Sequence, residues 1–302
     1  MALVKDEFSE ALLPGIREWF NIGYSRRPSQ MGQFFNVLPS TSDSEFYHSF
    51  GAVSPDAWGL FETTGKVPAV GFDRGYKTTF THKEFLVELP IRKTLIEDNK
   101  YPQILDAASQ LGDSAALKRE HDAASVFNNY SSSSYVGGDA VALGSNSHPN
   151  GPHKGAAVQD NLFAGTALSA TNVETVRQAM MGYKDDVGEL CGIIPNLLIV
   201  PVGLENTAKD ICEAEGKLGS ADNDRNPQKG RFTYVMWPYL TSATTWFMVD
   251  TTKMKQSLIW FDRTPLDIYP KQEDSTVFVT YIARMRYSYG WRDWRWIGCA
   301  AA

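Results

Sequence analysis

Residues 277–296, VFVTYIARMRYSYGWRDWRW, alternate apolar and polar positions with a period of two. Val277, Val279, Tyr281, Ala283, Met285, Tyr287, Tyr289 and Trp291 share one parity, while Thr280, Arg284, Arg286, Ser288 and Arg292 fall mostly on the other. The pattern predicts a half-buried strand whose odd face is core. Thirteen residues before Gly290 would extend about 43 Å at roughly 3.3 Å each, well beyond a common strand. After Gly290 the phase slips, because Trp294 and Trp296 take the opposite parity from Trp291, which predicts a bulge or bend. Trp, Tyr and Arg together are enriched at contact hot spots. The out-of-phase end, Arg292, Trp294, Arg295 and Trp296, is therefore a candidate interface.

Elsewhere the patterning is uneven. The first 55 residues carry short apolar groups, among them Phe8, Leu12, Trp19, Phe20, Phe34 and Tyr47, broken by Gly, Pro, Ser and Asn. That is too little periodicity for a core of its own and predicts an arm that lies on something else. Trp19 and Phe20 are its candidate contacts. Turn-rich residues 56–75 lead to two extended runs, Tyr76 to Thr81 and Glu84 to Arg92, read as a two-stranded excursion with Thr81, His82 and Lys83 at the tip. A lone hairpin is marginal in water, so it rests on another part of the molecule or on a neighbour. Pro90 fits an edge strand.

From Pro102 to Asn129, Ile104, Ala108, Leu111 and Ala115 recur at helical spacing, giving a helix of about 40 Å that the serines 131–134 end. A Gly, Asn, Pro and His-rich loop spans 136–160, and a second block opens near Asn161. Thr171 with Glu174 reads as a capping box before a helix, Leu197 to Val200 as a short buried strand, and Leu204, Ala208 and Ile211 as a second helix. Residues 214–231 are a polar loop by composition. Phe232 to Trp237, Trp246 to Asp250 and Leu258 to Phe261 add strands, so the block is α/β or α+β.

Composition narrows the function classes. In 302 residues, 43% hydrophobic content is enough for a real core, and the net charge of −6 without any basic run excludes a nucleic-acid reader with a strong electrostatic footprint. The same balance suits a surface that passes near DNA without gripping it. Cys191, Cys212 and Cys299 are odd in number and widely spaced, against both a disulfide framework and a thiolate zinc site. Acidic residues stand where a signal peptide needs basic ones, and no apolar run nears the roughly 20 residues that span a bilayer. A soluble protein with no membrane partner is expected.

Catalytic motifs are missing from the sequence: there is no P-loop, no GxGxxG after a strand, no GxSxG and no HExxH. His148 and His153, in SNSHPNGPHKG, could touch one metal, but no carboxylate or cysteine beside them completes a set, and the plain reading is a solvated loop. Asp185 and Asp186 read as a turn. Lys83 and Lys154 have no neighbour that would activate them. No catalytic residue, cofactor or metal is expected.

Several blocks resemble one family. IRKTLIEDNKY at 91–101, SNSHPNGP at 145–152, NLFAGTALSATNVETVRQAM at 161–180, DDVGELCGIIPNLLIVPVGLENTAKDI at 185–211, WPYLTSATTWFMVDTT at 237–252 and YIARMRYSYGWRDWRW at 281–296 occur in an order similar to that of Mu-like phage major head subunits. These are tailed-phage major capsid proteins of the Hong-Kong-97-type fold, an α+β architecture. The resemblance implies an N-terminal arm at 1–55, an extended loop at 56–93, a peripheral domain from 94–159 and 251–302 with a spine helix at about 102–129, and an axial domain at 160–250. The first two thirds of the long strand would then back the spine helix.

It further implies a structural protein that assembles itself into pentamers and hexamers of an icosahedral shell around double-stranded DNA, held near the packaged DNA by non-specific proximity. Such a subunit belongs to the virion, assembled in the host cytoplasm, with a portal and possible cementing proteins as partners. No lysine and asparagine pair for covalent cross-links can be placed, so a non-covalent shell is expected. Without a long helical segment before residue 55, scaffolding would come from a separate protein. The alternatives are a nanocompartment shell of the same fold and, more remotely, a metal-dependent enzyme using His148 and His153.

Overall fold

A computed structural model describes residues 5–59, 65, 67, 69–71, 74–152, 156–216, 225–271 and 277–302, with side chains from residue 12 onward. Its longest helix, α4 (Tyr101–Asn128), runs about 42 Å at 1.5 Å per residue. Pro102 stands in the first turn, where the missing N–H costs nothing. Along α4 lies α1 (Lys5–Arg26), a helix in the segment expected to be an arm without one. Pro14 and Gly15 inside it blur the pattern, and among its described side chains the large buried ones are Ile16 and Phe20, continued by Gly23.

Glycine sets how near the two helices come. A Cβ on Gly23 would stand 1.9 Å from the Ser109 carbonyl oxygen, and one on Gly112 would stand 2.0 Å from that of Phe20. The backbones touch where neither residue has a side chain. Short helices α2 (Met31–Phe34) and α3 (Lys93–Glu97) flank the pair.

A four-stranded sheet covers α4. Its order is β1 (Asn36–Pro39), β11 (Leu258–Pro270), β12 (Phe278–Trp291) and β4 (Lys83–Arg92), with β1 parallel to β11 and the other pairs antiparallel. Alternation along β12 buries Tyr281, Ala283, Met285, Tyr287 and Trp291 as the period of two requires. The strand follows the helix along its length: Tyr281 shares a core with Ile104, the Tyr287 hydroxyl donates to Asp122 Oδ2 at 2.6 Å, and Tyr289 lies 3.2 Å from Ser125 Oγ. No bulge occurs at Gly290. The phase slip is instead a change of sheet: the chain turns through 292–296 and re-enters as β13 (Ile297–Ala301), while the register shifts lie in β11 between Asp262 and Asp267.

After the small β5 (His148–Pro149) and β6 (Val158–Gln159) pair, the second sheet is five-stranded, ordered β7 (Leu162–Ala164), β13, β10 (Trp246–Val249), β8 (Leu197–Val200) and β9 (Thr233–Met236). Residues 297–301, expected in the peripheral half, thus sit between β7 and β10. Against this sheet pack α5 (Ala170–Met181) and α6 (Glu205–Glu213). The start of α5 is capped by Ser169, whose Oγ accepts from Asn172 N at 3.2 Å, so the helix begins before the predicted capping box. The two predicted blocks share one aromatic core, in which Phe34 meets Trp237 at 4.5 Å and Phe127 meets Phe247 at 5.3 Å.

The predicted excursion also pairs differently. β3 (Arg74–Thr81) pairs with β2 (Ser44–Phe50), and β4 pairs with β12, so His82 marks a crossing between sheets rather than a hairpin tip. The crossing is pinned. His82 Nε2 lies 3.0 Å from Ser40 Oγ and Nδ1 lies 3.0 Å from Ser288 Oγ.

A buried polar seam ties these parts together. Glu120 accepts from Ser29 Oγ at 2.5 Å, Met31 N at 3.1 Å and Trp237 Nε1 at 3.3 Å. Arg119 donates to Asp262 Oδ2 at 2.9 Å and lies over the Trp260 ring at 5.1 Å. Carboxylates this enclosed persist because donors surround them.

Candidate assembly surfaces

The nine residues singled out in the sequence divide into buried and accessible sets. Phe20, His82, Trp294 and Trp296 are buried in the subunit itself and are corrected to internal positions. Phe20 faces α4. Trp296 joins the aromatic core, 6.1 Å from Phe127. Trp294 is sandwiched between His148, stacked at 4.2 Å, and Tyr183 at 5.1 Å. Aromatic side chains of this size supply core before they supply interface when a second sheet lies within reach.

Trp19, Thr81, Lys83 and Arg292 remain exposed. Arg292 lies over the Tyr47 ring at 4.2 Å, which ties the β2–β3 ribbon to the end of β12. Arg295 is half-buried and strapped in place, donating to Lys184 O at 2.9 Å, Asn150 O at 2.8 Å and Asp293 Oδ1 at 2.9 Å. A further tie joins Asp186 to the ribbon, its Oδ1 accepting from Ala52 N at 2.9 Å.

The strongest accessible apolar features are ones the sequence reading passed over. On the ribbon, Phe46 is 60% exposed and Phe50 74%, and Trp58 beyond it is 86% exposed. Phe46 and Phe50 share a parity along β2, so one face of the ribbon presents aromatics to solvent. Leu190 and Ile194 form a second exposed pair in the loops beside the five-stranded sheet. The signal for the ribbon was present in FYHSF at 46–50, but the pairing of Ser44–Phe50 with a segment beginning at Arg74 is not readable from period alone.

Chemical candidates find structural roles. His148 is fully buried, with Nδ1 2.7 Å from Asp139 Oδ2 and Nε2 3.3 Å from Leu143 O, so both ring nitrogens are engaged. His153 and Lys154 lie outside the described residues. Among the described residues no three His, Cys, Asp or Glu side chains gather as metal ligands. Asp185 accepts from Val187 N and Glu189 N and closes a turn. Burial pushes the Cys212 thiol up to about 11 and raises Cys191 and Cys299 as well, the opposite of what a nucleophilic thiolate needs. No helix among the described residues is long and apolar enough to cross a membrane.

Residues 90–300 match the family model described as phage capsid protein. The fold is similar to that of the capsid of bacteriophage JBD30, decorated with minor capsid protein trimers, at TM-score 0.57 and 18% identity over 71% of this chain and 92% of that one. It is similar to Mycobacterium phage Patience at TM-score 0.56 and 9% identity, over 96% and 87%. A virus-like particle from Pyrococcus furiosus aligns at TM-score 0.52 and 8% identity, over 95% and 98%. At these identities the likeness is one of fold. No curated protein sequence matches the chain.

Proposed function

Because the chain belongs to the phage capsid protein family, we propose that it is the major head subunit of a tailed phage, building pentamers and hexamers of an icosahedral shell around double-stranded DNA. The observation that carries this reading is the family match across residues 90–300 on a Hong-Kong-97-type fold. The chain is a structural shell protein of the virion, and its function is self-association. Within the family we place it in the Mu-like branch, on the order of its sequence blocks.

In this reading the helix pair α1 and α4 with the four-stranded sheet is the peripheral domain, the five-stranded block is the axial domain, and the β2–β3 ribbon is the extended loop. Heterologous contacts repeated under rotation close into rings, and small angular adjustments close rings into a shell. The net charge of −6 supports an interior that leaves packaged DNA free, since phosphate binding needs clustered Lys and Arg. α1 has Ile16 and Phe20 fully buried, so it is an integral part of the subunit, and in this reading a separate scaffolding protein is a partner. A portal completes the head, and the decoration of the JBD30 capsid supports a cementing partner. Assembly takes place in the host cytoplasm. The family match does not favour the nanocompartment or metal-enzyme alternatives.

Electron microscopy of the protein produced with its neighbouring genes tests this. Closed particles in which this chain is the most abundant protein are expected. A compact monomer absent from such particles would sink the reading.

A further inference from the structure

Beyond the β2–β3 ribbon, Pro55–Ala57 forms a single tight turn in which Ser54 Oγ accepts from Asp56 N at 3.3 Å. The turn holds out Asp56 and Trp58 together. Trp58 is the most exposed large apolar side chain among the described residues. Neither its indole nor the Asp56 carboxylate meets a ring or a cation among those residues.

A cleft of about 520 Å³ opens where β3, the segment after α4 and β12 meet. Phe85, Tyr289 and Trp291 form its walls, with Phe85 stacked on Tyr287 at 4.7 Å. Tyr135 and Val136 stand exposed at the mouth, and Lys83 reaches its rim without a carboxylate partner among the described residues. The cleft is aromatic inside and positive at one edge. The turn offers an aromatic group with a negative charge two residues away.

We infer that Trp58 of a second copy of this chain seats in this cleft, with its Asp56 facing Lys83. The inference deepens the capsid reading and rests on it. A subunit does not fill its own cleft: Trp58 is 86% exposed and is not among the residues that line it. Each copy therefore carries one unfilled cleft and one uncovered Trp, which is the condition for a head-to-tail contact. Burying an indole removes roughly 150–250 Å² of aromatic surface from water, and Trp is the residue type most enriched at contact hot spots.

The test measures the subunit concentration at which shells appear. Trp58→Ala, Asp56→Lys and Lys83→Glu are each expected to raise that threshold by about tenfold or more, the scale of a hot-spot loss, and the Asp56→Lys/Lys83→Glu double variant to recover most of it. The far-ultraviolet circular dichroism and melting of free subunits should not change, since all three residues are exposed. In mixed shells of Trp58→Cys copies and Tyr135→Cys copies, oxidation should join two different chains. If Trp58→Ala assembles at the wild-type threshold, if the charge swap recovers nothing, or if the doubly substituted free subunit closes the bond within one chain, the inference is overturned while wild-type shells leave the capsid reading standing. Failure of the wild type to form shells takes both down.

Discussion

The imidazole of His148 lies flat on the indole of Trp294, ring centroids 4.2 Å apart and planes 13° from parallel. The stack joins the loop after α4 to the turn between the two sheets. Trp294→Ala should therefore lower the stability of the unassembled subunit by about 3–5 kcal/mol, as for other buried aromatics. Arg292→Ala, two residues away, loses only an exposed cation–π contact of about 0.5–1 kcal/mol. Urea unfolding of free subunits separates the two. A Trp294→Ala subunit as stable as wild type would return that tryptophan to the surface.

Gly112→Ala offers a test by sign. Inside a helix the exchange ordinarily gains up to about 1 kcal/mol. Here the new methyl would stand 2.0 Å from the Phe20 carbonyl oxygen, so α1 must move off α4 and the expected outcome is a net loss of about 1–3 kcal/mol. Faster tryptic cleavage after Arg26, since Pro28 protects the bond after Arg27, should accompany the lower melting temperature. A rise in melting temperature would contradict the backbone contact.

Glu120 holds three donors from two distant parts of the chain, Ser29 and Met31 from one and Trp237 from the other. Glu120→Ala leaves the Trp237 N–H and the Met31 N–H buried without acceptors, at about 1–3 kcal/mol for each group left unsatisfied. Glu120→Gln keeps one acceptor oxygen and should cost clearly less. The comparison of the two variants by denaturant midpoint distinguishes lost hydrogen bonding from a lost side chain.

Acid should loosen the five-stranded block through Glu174. Hydrogen bonding from Arg177 holds its carboxyl down at about 2, against 4.5 ordinarily, with Gln178 and Gln228 adding to the effect and partial burial opposing it. A carboxyl depressed by folding contributes its stability fully above pH 4.5, and that contribution disappears as the pH falls from 4.5 towards 2. Because the group is partly solvated, the expected amount is on the order of 1 kcal/mol. Glu174→Gln should flatten this part of the stability curve. An unchanged acid limb in the variant would remove Glu174 from the cause.

The long strand and the long helix were legible because each satisfies one period over many residues: Tyr281 to Trp291 by twos, Ile104 to Phe127 by threes and fours. α1 was hidden because Pro14 and Gly15 interrupt its apolar stripe just before Ile16 and Phe20. The reading of His82 as a hairpin tip failed for another reason. Its two hydroxyl partners, Ser40 and Ser288, lie far away in sequence, and no local pattern announces which strand a neighbour will choose. Trp294 and Trp296 looked like surface because their parity broke with β12, when the break marked entry into a second sheet. Side-chain period reports a local face, whereas interface and core differ only in what lies opposite.

The place of β13 orders events in time. β7 and β10 are both made before it, yet neither pairs with the other, and each finds its neighbour only when Ile297–Ala301 arrives. A growing chain thus carries an unfinished sheet from Val249 until nearly fifty residues later, with open edges that invite wrong pairing. Closure of that sheet and completion of the aromatic core coincide, because Trp294 and Trp296 immediately precede the strand. β13 works as the keystone of that sheet. A copy without Ile297–Ala301 leaves both Leu162–Ala164 and Trp246–Val249 without the strand that joins them.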